Sequence, residues 1–149
     1  MSRLHLRVIT PERTLIDSMI SEVILPTKTG QIAILPNHMP LIAEIMPGSI
    51  VIKSKEEERV AVVYGGFIYV KENSEVLVLA DAAEHLHELN EAEIMAAKQR
   101  AEDARDAAKG NIALTAVSEA ELSRITTQLR SIHRHSGIKR QRGKDIKEL

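Results

Sequence analysis

Few side chains in this sequence are spaced for chemistry. His85-Leu86-His87 and His133-Arg134-His135 set imidazoles two residues apart. On a strand that spacing puts both rings on one face, as a metal site requires. Glu88, the carboxylate beside the first pair, falls on the opposite face. The second pair lies at the end of an expected helix, where residues i and i+2 diverge. Imidazoles near a helix C-terminus are the simpler reading, and no metal ligand set is expected. His38 stands between two prolines as a surface contact. Gly143-Lys144 is followed by Asp145 and lacks the frame of a phosphate loop. There is no G-x-S-x-G and no cysteine. Nothing here predicts catalysis.

The elements that would carry these residues are readable from pattern. Of 149 residues, 44% are apolar and 28% charged, the balance of a globular chain. Tyr64, Phe67 and Tyr69 are the aromatic residues, so the core has to be aliphatic. The first residues alternate polar and apolar, unlike a secretory leader. The longest apolar run, Ala61 to Val70, is too short for a membrane-spanning helix of roughly twenty residues; direct membrane insertion is not expected.

The most structured phrase runs from Thr29 to Gly48 and holds Pro36, Pro40 and Pro47. Each proline fixes φ and removes a donor. The pattern predicts a strand, a stiff non-hydrogen-bonded corner at Pro36-Asn37-His38-Met39-Pro40, and a second strand. Leu4, Leu6 and Val8 share one face at period two. Lys55 to Arg59 reads as a charged hairpin tip. Gly65-Gly66 marks a bulge or a close backbone approach. In all, nine or ten short antiparallel strands within residues 1–88 predict a β-sandwich or flattened barrel.

After Ala80 the pattern turns helical. Asn90 and Glu93 resemble a capping box. Helix formers run from there to Ala108, where Lys109-Gly110-Asn111 stops them. A second helix is expected from about Leu114 to His133. Leu122, Ile125, Leu129 and Ile132 form its narrow seam against Ala96, Ala97, Ala101, Ala104 and Ala108. An alanine seam buries little area, so this αα-hairpin, residues 89–136, is expected to dock weakly and to open. Residues 137–149 read as a basic tail of poor order.

Charge is unevenly spread. Residues 1–88 carry 8 Lys/Arg against 12 Asp/Glu, and residues 89–149 carry 12 against 9. A basic end suits an acidic partner surface, or is simply solvated. Nucleic acid is a poor fit, because stacking aromatics and groove-reading motifs are missing.

The phrase TGQIAILPNHMPLIAEIMPGSI, followed by YGGF and VLVLADAAE, resembles the epsilon subunit of the F-type ATP synthase over residues 3 to 135. The resemblance implies a non-catalytic central-stalk subunit of a proton-translocating rotary motor. Its sandwich would bind the gamma subunit and the c-ring through residues such as Gln31, His38, Met39, Leu41, Gly65 and Gly66. Its helices would inhibit ATP hydrolysis by extending into the catalytic alpha/beta hexamer, with Arg124, Arg130 and Arg134 meeting acidic residues there. The setting implied is the cytoplasmic face of a bacterial inner membrane, ahead of a plastid stroma. Some relatives bind ATP through I/L-D-x-x-R-A at the start of the first helix. Here Leu89-Asn90-Glu91-Ala92-Glu93-Ile94 departs from it at Asn90, Glu93 and Ile94, while Glu84, Arg100 and Arg130 match outer positions. No cofactor is therefore expected. The alternative from another class is a free-standing sandwich module with a helical dimerisation arm.

Overall fold

The computed structural model describes residues 2–145, with side chains through residue 136. The chain divides into two compact units, Met1–Glu88 and Leu89–Leu149.

The first unit is a ten-stranded sheet wrapped around an aliphatic core. Its strands are β1 (Leu4–Ile9), β2 (Thr14–Ile20), β3 (Glu22–Thr27), β4 (Gly30–Ile34), β5 (Leu41–Ile45), β6 (Gly48–Lys53), β7 (Glu58–Val63), β8 (Gly66–Lys71), β9 (Glu75–Ala80) and β10 (Ala83–His85). The order is β10-β7-β6-β3-β5-β8-β9-β1-β2, with β4 paired to β3. The fold is the expected sandwich with one departure: β1 pairs β9 in parallel, Leu6 opposite Val76 and Val8 opposite Val78. That pairing joins the first strand to a late one, so no hairpin rule could reveal it.

Period-two alternation fills the interior. Leu4, Leu6 and Val8 of β1 meet Ile68 and Val70 of β8 and Val76 and Val78 of β9 in one cluster. No aromatic ring belongs to it. Branched aliphatic side chains suit this job because their restricted rotamers pack well on a pleated surface.

Gly65-Gly66 is a close backbone approach. Gly66 has φ +135°, and a Cβ there would lie 2.1 Å from the Leu79 carbonyl oxygen and 2.8 Å from the Ala80 Cα. Both obstacles are backbone and cannot swing aside.

The second unit is the expected helical hairpin: α1 (Glu91–Ala107) and α2 (Ile112–Asp145). Asn90 caps α1 by accepting the Glu93 backbone N–H at 3.2 Å. Asn111 caps α2 through the Leu114 N–H at 3.2 Å. Two expectations need correction. α2 does not stop near His133; it continues through Gly137 to Asp145, where a separate basic tail was expected. Lys139, Arg140, Arg142 and Lys144 have straight side-chain stems that favour helix, which outweighs Gly137 and Gly143. Residues 146–149 lie outside the described residues. The seam also differs: Ile94, Ala97, Ala101, Leu122, Ile125, Leu129 and Ile132 pack together, with Leu89 alongside. Ala96 and Ala104 are exposed instead. Ile94 stands one turn before Ala97 and Ala101, so it extends their stripe and takes over the face assigned to alanines.

Because the space around Gly66 is closed by backbone, Gly66→Ala should destabilise the sandwich by about 2–4 kcal/mol. Chemical denaturation of the purified chain measures this, with Gly30→Ala as a control. Gly30 also has positive φ but nothing within 4 Å, so its loss should be smaller.

Candidate functional site

The proline corner is a built loop. The His38 N–H donates to the Leu35 carbonyl at 3.2 Å, and the Asn37 N–H donates to Ser74 Oγ at 2.8 Å. The expected absence of hydrogen bonds here is thus corrected: the turn Glu72–Ser74, 37 residues further on, supplies a partner that local sequence could not show. Asn37 takes φ +65°, a conformation asparagine tolerates. His38 Nδ1 lies 2.7 Å from the Met39 carbonyl oxygen, which fixes the ring beside the corner.

An apolar surface begins at this corner. Met39 is 73% exposed, Ile42 60%, Phe67 53%, Leu79 45% and Tyr69 41%. Register explains their grouping. Ile42 stands opposite Tyr69, and Glu44 opposite Phe67. Tyr69 in turn stands opposite Leu77, and Phe67 opposite Leu79. Ile42, Phe67, Tyr69, Leu77 and Leu79 therefore share the outer face of β5, β8 and β9, while Ile68, Val70, Val76 and Val78 fill the inner one. Charge flanks the apolar centre: Glu44 stands opposite Phe67 with Lys28 3.5 Å away, and at the other end Lys71 stands opposite Glu75, 3.7 Å apart. A contiguous apolar face of this kind marks an interaction surface.

The residues singled out from sequence are distributed unevenly about this face. Met39 and Gln31 are exposed, and His38 is half-buried. Leu41 packs partly against the core, so Ile42 holds the outward position. Gly65 is buried and Gly66 makes the close strand contact, so both shape the edge from beneath. Phe67, Tyr69 and Leu79 were missed. Their strands are apolar at almost every position, which hides the face that meets water.

The hairpin positions separate into different roles. Asn90 serves as the α1 cap, Ile94 belongs to the seam, and Glu93 is exposed. Arg100, Arg124, Arg130 and Arg134 are exposed on the helices. In the sandwich, the Glu84 carboxylate accepts the Tyr64 hydroxyl at 2.6 Å. His133 and His135 do not cap a helix end, since α2 runs past them. His133 Nε2 instead lies 2.8 Å from Glu91 Oε1 on the first turn of α1, and His135 is buried.

His85 and His87 do come together. The single turn Leu86–Glu88 that follows β10 stacks the two rings at 5.1 Å between centroids. Among the described residues, no group of three His, Cys, Asp or Glu side chains is placed to hold a metal ion. No described helix is long and apolar enough to cross a membrane.

A ten-stranded sandwich with an apolar outer face, followed by a capped helical hairpin, defines the class of architecture. Residues 3–86 match the beta-sandwich domain of the ATP synthase delta/epsilon chain. An ATP synthase epsilon chain from Dichelobacter nodosus is 37% identical over 134 residues, covering 86% of this chain and 93% of the relative. One from Bordetella parapertussis is 38% identical over 129 residues, covering 86% and 91%. The chain belongs to the ATP synthase epsilon chain family. A chain in the Euglena gracilis mitochondrial ATP synthase (OSCP/F1/c-ring) shares the fold, with a TM-score of 0.76 at 16% identity over 89% of this chain and 83% of that one. A chain in the central stalk/c-ring structure of the Tetrahymena thermophila mitochondrial enzyme gives 0.56 at 14% identity, covering 85% and 94%.

Since Asn90 satisfies an otherwise orphaned N–H, Asn90→Ala should cost about 1 kcal/mol of hairpin stability. Asn90→Asp should keep the cap. Far-UV circular dichroism during thermal melting separates the two variants.

Proposed function

We propose that this epsilon chain is a non-catalytic rotor subunit, in which the sandwich couples the gamma subunit to the c-ring and the hairpin restrains ATP hydrolysis. The observation that carries this reading is the inequality between the two units. Among the described residues, nineteen buried apolar residues form the sandwich core, whereas four buried residues, one of them alanine, form the core of the hairpin. At about 25 cal/mol per Å² of buried apolar surface, the hairpin gains far less from its own packing. A two-state element needs arrangements separated by only a few kcal/mol, and such a thin seam meets that requirement.

The outer face of β5, β8 and β9 is assigned to gamma. Its aromatic and aliphatic centre, flanked by the Lys71–Glu75 pair and Glu44, suits a lasting protein interface. The proline corner, with Gln31, His38 and Met39, is assigned to the c-ring side. Structural neighbours from an F1/c-ring assembly and a central stalk/c-ring assembly support a position beside a c-ring. The bacterial relatives favour the cytoplasmic face of an inner membrane, where partners hold the subunit. Arg124, Arg130 and Arg134 project from α2 and would meet acidic residues of the alpha/beta hexamer in an extended state, a contact weakened by salt.

Nucleotide has little to hold it at the α1 start. Asn90 is committed to the cap, Ile94 to the seam, and Glu93 offers a carboxylate where a phosphate needs a cation. The isolated chain should bind MgATP with a dissociation constant above about 10 μM; calorimetric titration yielding tighter binding overturns that reading.

Removing residues 89–149 should leave ATP synthesis largely intact and raise ATP hydrolysis by the reconstituted complex. Hydrolysis at equal assembly is the measurement. An unchanged rate removes the inhibitory role, and failed assembly removes the division of labour between the units. Phe67→Asp, at an exposed position, should change stability little yet abolish capture of gamma in a pull-down. Self-association without gamma would favour the free-standing module with a dimerisation arm.

A further inference from the structure

The last residue of the sandwich unit is tied back to its first turn. The Arg13 guanidinium reaches both oxygens of Glu88, at 2.9 and 3.5 Å. Glu88 Oε2 also accepts the His85 backbone N–H at 3.3 Å. Arg13 is itself held by a tight turn: its N–H donates to Thr10 Oγ1 at 3.1 Å, and that hydroxyl donates to the Arg13 carbonyl at 3.0 Å. Over the same turn the His85 and His87 rings stack at 5.1 Å and 20°. Beyond Glu88 the chain passes directly to Leu89 and the hairpin unit.

We propose that Arg13, His85, His87 and Glu88 form a proton-released clasp on the segment by which the chain leaves the sandwich, so that mild acid loosens residues 83–88. With the His85 imidazole neutral, the stack is an apolar contact and Glu88 holds both the Arg13 guanidinium and the His85 backbone N–H. With His85 protonated, a cation lies against the His87 ring and beside the Arg13 guanidinium. The carboxylates available to it are few. Glu88 is shared with Arg13, Glu84 of β10 accepts the Tyr64 hydroxyl, and Glu12 belongs to the exposed β1–β2 turn.

The electrostatics favour release. Burial holds the His85 imidazole below its ordinary range; Glu88 pulls it up, while His87 and Arg13 push it further down. The hydrogen bond from Arg13 keeps Glu88 below the usual carboxylate range. A histidine held low when closed takes its proton more readily when open. The closed segment is therefore favoured above the ordinary imidazole value of about 6.5, and that preference is lost as pH falls towards the lowered value. Glu88 stays ionised throughout this window, so the change belongs to His85.

Release of residues 83–88 frees up to about 20 Å of additional chain ahead of the hairpin. The regulatory meaning of that reach rests on the proposed movable hairpin. The clasp itself can be tested without it, so the two ideas fail separately.

The experiment is amide hydrogen exchange on the full chain at pH about 7.5 and about 5.5, corrected for intrinsic rates. Peptides covering residues 83–90 are compared with a reference within β9. In the wild type, protection of the first should fall about fivefold relative to the second at the lower pH. His85→Gln combined with His87→Gln should abolish that difference. Arg13→Gln should lower protection at both pH values. A wild-type segment whose protection ignores pH overturns the proposal, as does a double variant that keeps the full pH dependence. Should the double variant misfold, His87→Gln alone decides, because that ring is exposed; it has to reduce the loss of protection, and an undiminished loss also overturns the clasp.

Discussion

An aliphatic core needs closure on every side, and in this chain the closure depends on one unusual pairing. Among the described residues, the strand pairings are antiparallel except one: β1 lies antiparallel to β2 but parallel to β9. Without that pairing Leu4, Leu6 and Val8 would lose the β9 residues they cover, and a core lacking large rings has no other means of filling the gap. The bulk of the stabilising burial is thereby placed in the first unit. What remains for the second is a narrow contact between two helices whose ends are set by asparagine caps.

Strand alternation also determines what faces water. A strand with apolar residues on both faces can bury only one of them unless a second layer covers the other. In β8 the inner positions Ile68 and Val70 are buried, and the outer positions Phe67 and Tyr69 stay solvent-exposed. Two of the chain's three aromatic residues thus sit on the surface, the reverse of their usual placement in a core. Partner contact gives a physical reason for that reversal.

Much of this was legible in the sequence. The proline-rich phrase marked its own corner, alternation marked β1, Asn90 marked the start of α1, and Lys109-Gly110-Asn111 marked its end, because each signal acts over a few residues. Other features join distant segments and leave no local trace. Arg13 finds Glu88 across 75 positions, and Asn37 finds Ser74 across 37. The end of α2 was misjudged because glycine is a weak stop when helix-favouring residues follow it. Which face of β8 meets water could not be read either, since Phe-Ile-Tyr-Val is apolar on both parities. At the candidate site, exposed Met39 and the corner were visible beforehand, while the sheet face beside them emerged only from register.

The link from the Asn37 amide to the Ser74 hydroxyl also has a mechanical consequence. A loop anchored only at its two ends behaves as a soft spring, yielding to a push before its neighbours feel it. Here the loop is braced by a second turn, and that turn is continuous with two strands of the main sheet. Load applied at Met39 passes into β8 and β9 as well as β4 and β5, with little slack between them. Under the proposed rotor role, such low compliance would pass rotation on instead of absorbing it.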